Sequence, residues 1–171
     1  ETDTTSPKSF DKMKGKILTF LAIAAMTLTA CDNGYDCYLE NTAYNRIGFY
    51  SSADSVTGKY ALPETLTVSI MINGTDSILV NHITDADGLQ LPMSYTNSCD
   101  TVIFNYNDEI TDTLYVAHEN ILYYQSMECG TVMYHKLDSI THTSRFIDSV
   151  SIVQQYVKFD PNENVKIYFI E

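Results

Sequence analysis

Short runs in which apolar and polar residues alternate recur from position 47 to the C-terminus, with turn-forming residues between them. Ile47-Gly48-Phe49-Tyr50 opens the series. Leu66–Ile72 places Leu66, Val68, Ile70 and Ile72 on one face of a strand. Asn73-Gly74 follows, a strong hairpin signal because both residues tolerate positive φ. Asp76–Val80 is the return strand. Thr84-Asp85-Ala86-Asp87-Gly88 reads as a second turn before Leu89–Pro92. Thr101–Tyr106 and Thr111–His118 come next. A turn at Glu119-Asn120 leads into Ile121–Gln125. Gly130–Lys136, Asp138–Thr143, Phe146–Val153 and Asn164–Ile170 complete the set. Val, Ile, Thr, Tyr and Phe fill these runs, as strands prefer, and no segment carries a helical period. The pattern predicts an all-β domain, an antiparallel β-sandwich of immunoglobulin-like or related type. A small β-barrel satisfies the same periodicity.

The pattern ahead of these runs is different. Lys8, Lys12, Lys14 and Lys16 precede Ile17–Leu28, an uncharged stretch of 12 residues. A permanent membrane span needs about 20. A secretory h-region needs about 7–15. The stretch ends in Leu28-Thr29-Ala30-Cys31, which looks like the lipobox of bacterial lipoproteins. Small residues fit a peptidase cleft, and the Cys31 thiol would take the diacylglyceryl group. Residues 1–30 are therefore read as a signal peptide with an N-terminal extension and Met13 as the native start. Residues 31–45 are a lipidated Cys and tether, and residues 46–171 the β-sandwich domain.

Composition sharpens this picture. The chain has 171 residues and a net charge of −12, which disfavours nucleic acid as a partner. Cys31–Glu171 alone carries 19 acids and six bases, about −13. Such a body is repelled by an anionic bilayer, so the lipid must do the anchoring. With Cys31 lipidated, Cys37, Cys99 and Cys129 remain. In an oxidising compartment three thiols allow one intramolecular bridge. A Cys37–Cys129 disulfide would clip the tether to the domain, be worth about 2–4 kcal/mol and leave Cys99 free.

Candidate chemistry is sparse. Asp85-Ala86-Asp87-Gly88 resembles part of a calcium loop, but Ile83 stands at the upstream ligand position and no distal Glu follows, so solvated turn acids explain it better. His82, His118, His135 and His142 lack paired metal-ligand spacing and read as half-exposed strand residues. No nucleophile elbow, phosphate-binding loop or dinucleotide fingerprint occurs, and nothing near Cys99 or Cys129 would activate a thiol. No catalytic residue, metal or cofactor is expected. Asp-Ser/Thr-apolar triplets begin at Asp54, Asp76, Asp100, Asp112, Asp138 and Asp148. They look like the O-glycosylation acceptor motif of exported Bacteroidota proteins, although strand-entry chemistry produces the same pattern. Tyr123-Tyr124 must point to opposite strand faces, and exposed tyrosines suit sugars or protein partners.

Asp112–His118, Glu128-Cys129-Gly130, Phe146–Val150 and Asn164–Phe169, together with Cys31 and Cys37, resemble an uncharacterised Bacteroidota lipoprotein family classed as a domain of unknown function. The resemblance implies a lipid-anchored β protein of the bacterial cell envelope; the expected location is the outer membrane, facing the periplasm or the surface. It supplies no activity, favours the Cys37–Cys129 pairing, and makes Cys99 a departure. Three functions fit: a non-enzymatic envelope lipoprotein of structural role or binding an envelope protein or glycan; an adhesin or pilus-type assembly subunit; and a glycan-active hydrolase on the same scaffold.

Overall fold

A computed structural model of the chain describes residue 37 and residues 42–53, 59–72 and 74–170. The leader, Cys31, the triplet at Asp54 and the turn residue Asn73 lie outside them. The described residues form ten strands and no helix. They are β1 (Tyr44–Ser51), β2 (Leu66–Ile72), β3 (Thr75–Ile83), β4 (Gly88–Pro92), β5 (Cys99–Tyr106), β6 (Ile110–Ser126), β7 (Gly130–His142), β8 (Ile147–Ile152), β9 (Tyr156–Val157) and β10 (Val165–Phe169). One sheet has the order β4-β1-β10-β8 and the other β3-β2-β5-β6-β7-β9. The architecture is a β-sandwich; neither sheet closes into a barrel.

Alternation explains the core. Val102, Phe104 and Tyr106 of β5, and Val165, Ile167 and Phe169 of β10, are buried, with half-exposed residues between them. The sheets meet through an aromatic cluster. Tyr106 meets Phe146 at 4.8 Å and Phe169 at 6.0 Å between ring centroids, and Phe49 of β1 stands edge-on to Phe169 at 5.1 Å. Edge-to-face pairs of this kind add about 0.5–1.5 kcal/mol beyond burial. The strand pairs are antiparallel except β1–β10, which run parallel with Ile47 opposite Val165. The first and last strands thus form the centre of the smaller sheet.

The structure corrects several boundaries. β1 begins at Tyr44, inside the stretch assigned to the tether, because Ala43 and Asn45 are already buried. Glu119-Asn120 is not a turn: β6 runs through it, with Glu119 opposite Lys136 and Asn120 opposite His135. β7 is also continuous. Ala117 faces Ser139 while His118 faces Leu137, so Asp138 is the extra residue of a β-bulge rather than the start of a new strand. Thr84–Gly88 is not a hairpin turn, since it carries the chain from β3 in one sheet to β4 in the other. β9 is an addition, two residues paired with His135 and Lys136. The β5–β6 hairpin turns on Asn107 (φ 52°) and Asp108 (φ 59°), residue types that tolerate the left-handed region.

The crossing from β7 to β8 is held by Asp112 of β6, a buried residue. Its Oδ1 accepts from the Thr143 hydroxyl at 2.6 Å and the Arg145 N–H at 2.9 Å. Its Oδ2 accepts from the N–H groups of Phe146 at 2.7 Å and Ile147 at 3.0 Å. Burial alone would raise the pKa of this carboxyl, but the four donors outweigh it and hold the pKa below the ordinary carboxylate value. The stabilisation is therefore complete above the unfolded-state pKa and is lost as pH falls through the lower folded-state value. We predict that Asp112→Ala destabilises the domain by about 3 kcal/mol, because it leaves the donors of a partly buried junction unpaired. Asp112→Asn, which keeps one acceptor oxygen, should cost roughly half of that. Urea denaturation measures both, and a loss below about 1 kcal/mol for the alanine variant would contradict this role.

Candidate functional site

Three regions carry side chains with chemical potential. The first is the far end of the β6–β7 hairpin. β5 accompanies β6 only from Ile110 to Ala117, and β9 touches β7 only at His135 and Lys136. Beyond Asn120 the hairpin is therefore a two-stranded ribbon. At its tip Cys129, which precedes Gly130 at φ 72°, is joined to Cys37 by a disulfide with a Cα–Cα distance of 5.3 Å. The Cys129 N–H also donates to Ser126 Oγ at 3.1 Å. An isolated two-stranded ribbon is marginal in water, and the disulfide cross-links this one across 92 positions of sequence. Cys99, at the start of β5, is a free and exposed thiol. Leu122, Tyr123, Tyr124 and Met127 are exposed along the ribbon, and Tyr123 packs on Tyr134 with ring centroids 5.2 Å apart.

The second region is a polar pocket inside the sandwich. Asp100 of β5, His118 of β6 and His135 of β7 are all buried. His118 and His135 were expected to be half-exposed, and the structure corrects this. The β6–β7 ladder brings the two rings edge to face at 5.3 Å. His118 Nε2 lies 3.2 Å from Asp100 Oδ2, at ion-pair distance but off the line a hydrogen bond requires. His135 Nδ1 lies 2.7 Å from Asn120 Oδ1, and Tyr95 stacks on its ring at 5.7 Å. The connection from β4 to β5 covers the group. Ser94 N–H donates to Asp100 Oδ2, Asn120 Nδ2 donates to the Asn97 carbonyl, and the His118 N–H donates to the Ser98 carbonyl. His118 Nδ1 and His135 Nε2 are buried without a hydrogen-bond partner. Burial first, and the neighbouring His118 second, push the His135 pKa down to about 4, against a partial opposing effect of Asp100. The group is a buried polar cluster whose His135 ring resists protonation. Sequence alone gave no signal for it, since its members lie on three strands.

The third region is a cavity of about 450 Å³ lined by Arg46, Lys59, Asp87, Gln90 and Glu163 among others. Its charged groups have neighbours in the protein. Asp87 lies 3.9 Å from the Lys59 ammonium. The Tyr50 hydroxyl donates to Glu163 at 3.0 Å, and burial together with this bond pushes the Tyr50 pKa up to about 12. Arg46 Nε donates to the Asp160 carbonyl at 2.9 Å. A Cβ on Gly48 would collide with the Glu163 carboxylate, so glycine is what lets that acid lie against β1. Such a cavity offers donors and acceptors to a small polar molecule.

The remaining sequence candidates fall apart in space. Asp85 and Asp87 are exposed, and among the described residues no three metal-ligating side chains converge. Of the described triplets, Ser77, Ser139 and Ser149 are exposed, whereas Asp100 and Asp112 are buried structural acids. Asp138 lies in the interior of β7, so strand-entry chemistry does not account for its triplet.

A family profile matches residues 65–169, more than half of the chain. The chain belongs to DUF6452, a family of unknown function. The resemblance to an uncharacterised family is borne out at that level. Comparison with curated proteins and with solved structures returned no match. The DUF6452 match covers β2 to β10 and omits β1, although β1 is the partner of both β4 and β10. Cys129 lies inside the DUF6452 region and Cys37 outside it.

The buried histidine has a measurable consequence. The unfolded chain protonates His135 near 6.5 and the folded chain near 4. Between those values the unfolded state holds the extra proton, so stability falls as pH drops through this window. We expect the urea midpoint of the wild type to fall more steeply between pH 7 and pH 4.5 than that of His135→Gln; parallel curves would refute the assignment.

Proposed function

We propose that the protein is a lipid-anchored lipoprotein of the bacterial cell envelope, with a structural or partner-binding role and no catalytic activity. The observation that carries this reading is the order of features between Met13 and Cys31: Lys14 and Lys16, an uncharged run of 12 residues, and Leu28-Thr29-Ala30-Cys31. Each part has a physical task. The lysines stay on the cytoplasmic side, the apolar run enters the export channel, the small residues fit a peptidase, and the thiol receives the lipid. Support comes from the Cys37–Cys129 disulfide, which is compatible with an oxidising compartment outside the cytosol. The resemblance to Bacteroidota lipoproteins points the same way, and the location proposed is the outer membrane, facing the periplasm or the surface. The partner would be an envelope protein or glycan, met by the acidic domain as it stands off the membrane.

A second reading, an adhesin or pilus-type assembly subunit, is favoured by β3. This edge strand of the six-stranded sheet is exposed at nearly every position, and Ile78 is 61% accessible. An added strand from another chain would pair there. The second reading differs from the first in requiring the purified domain to self-associate.

Lipidation is directly testable. We expect wild-type protein expressed in a bacterial host to partition into the detergent phase, and Cys31→Ala to move to the aqueous phase. Unchanged membrane retention of the variant would contradict the proposal.

A further inference from the structure

We infer that the tip of the β6–β7 ribbon lies against the lipid surface that anchors the chain, with Leu122, Tyr123, Tyr124 and Met127 entering the headgroup region. The inference rests on the lipoprotein reading and adds to it an orientation and a second membrane contact.

Chain length supplies the first argument. Cys31, the lipid-bearing residue in that reading, precedes Cys37 by six positions. Six residues span at most about 20 Å when fully extended. Cys37 is bonded to Cys129 at the ribbon turn. The disulfide therefore prevents the tether from letting the domain drift freely. It brings one defined end of the longest hairpin within about 20 Å of the lipid, less where the tether is not extended. The ribbon beyond Asn120 is itself about 20 Å long at the usual strand rise. The body is thereby held off the surface.

Charge supplies the second argument. The mature chain carries about −13, yet Asn120–Tyr134 holds one charged residue, Glu128. An anionic surface repels the acidic body; this stretch, with a single charge, is the part that can approach it most closely. Its side chains suit the contact. Met127 is 90% accessible, Leu122 67% and Tyr124 56%. Tyrosine has an apolar ring and a polar hydroxyl, a combination enriched at membrane interfaces. The two acyl chains of a diacylglyceryl group hold a protein stably on a bilayer but leave its orientation free, so an apolar contact beside the anchor fixes orientation.

The chain has no tryptophan, so one can be introduced as a depth reporter. Tyr124→Trp and Leu122→Trp report on the tip, and Ile110→Trp reports on the opposite end of β6. Each lipidated full-length mature protein is reconstituted into phosphatidylethanolamine–phosphatidylglycerol vesicles with brominated acyl chains. Mass spectrometry of the N-terminal peptide confirms the lipid on Cys31. We expect bromolipid to quench the two tip reporters several-fold more than Ile110→Trp. Equal quenching at both ends of an anchored, lipidated protein would overturn the inference while leaving the lipoprotein reading intact. A protein recovered without lipid on Cys31 would overturn both.

Discussion

A single buried carboxylate joins the two layers of this sandwich. Asp112 accepts four hydrogen bonds from the segment that leaves β7 and enters β8. That segment takes the chain out of the six-stranded sheet into the four-stranded one. It also delivers Phe146 to Tyr106 and Phe169, the rings through which the layers meet. Without a charged acceptor, the N–H groups of Arg145, Phe146 and Ile147 would face a partly buried region with no partner, leaving the crossing held by the Thr143–Thr113 and Ile170–Phe146 backbone hydrogen bonds. Thr143 extends the same junction, since its hydroxyl also accepts the N–H of Thr113.

The architecture divides the molecule into two physical environments. The body is acidic, and its smaller sheet is centred on the pairing of its first and last strands. The ribbon is nearly uncharged, grows out of the only two strands among the described residues that exceed ten residues, and is cross-linked at its tip to the segment preceding β1. The disulfide thus does more than close a loop in the unfolded chain. It fixes the point at which the N-terminal segment meets the fold, and in the lipoprotein reading this decides which end of the sandwich faces the bilayer. Membership of DUF6452 is compatible with any such role and specifies none.

Legibility in the sequence followed the range of the interactions. β2 was readable to the residue because alternation and the following Asn73-Gly74 are local signals. The sandwich class was readable for the same reason. Glu119-Asn120 misled because its polarity suggested solvent, whereas Asn120 is satisfied by His135 and by the Asn97 carbonyl. Asp138 misled because a bulge shifts the alternation and mimics a new strand. The parallel pairing of β1 with β10 joins residues more than a hundred positions apart and leaves no local trace. The buried histidines were hidden for a related reason. A histidine in a strand has the same local pattern whether its ring meets water or another imidazole. Asp112 looked like one of six similar triplets, and only the fold distinguishes the acid that receives four donors from those that face solvent.

The claim that Asp112 staples the layers is tested most directly by following its carboxyl carbon by NMR during an acid titration. The account predicts that this resonance stays at its charged position as pH falls through the ordinary carboxylate value and changes only together with unfolding of the domain. Titration at the ordinary value with the fold intact would contradict it.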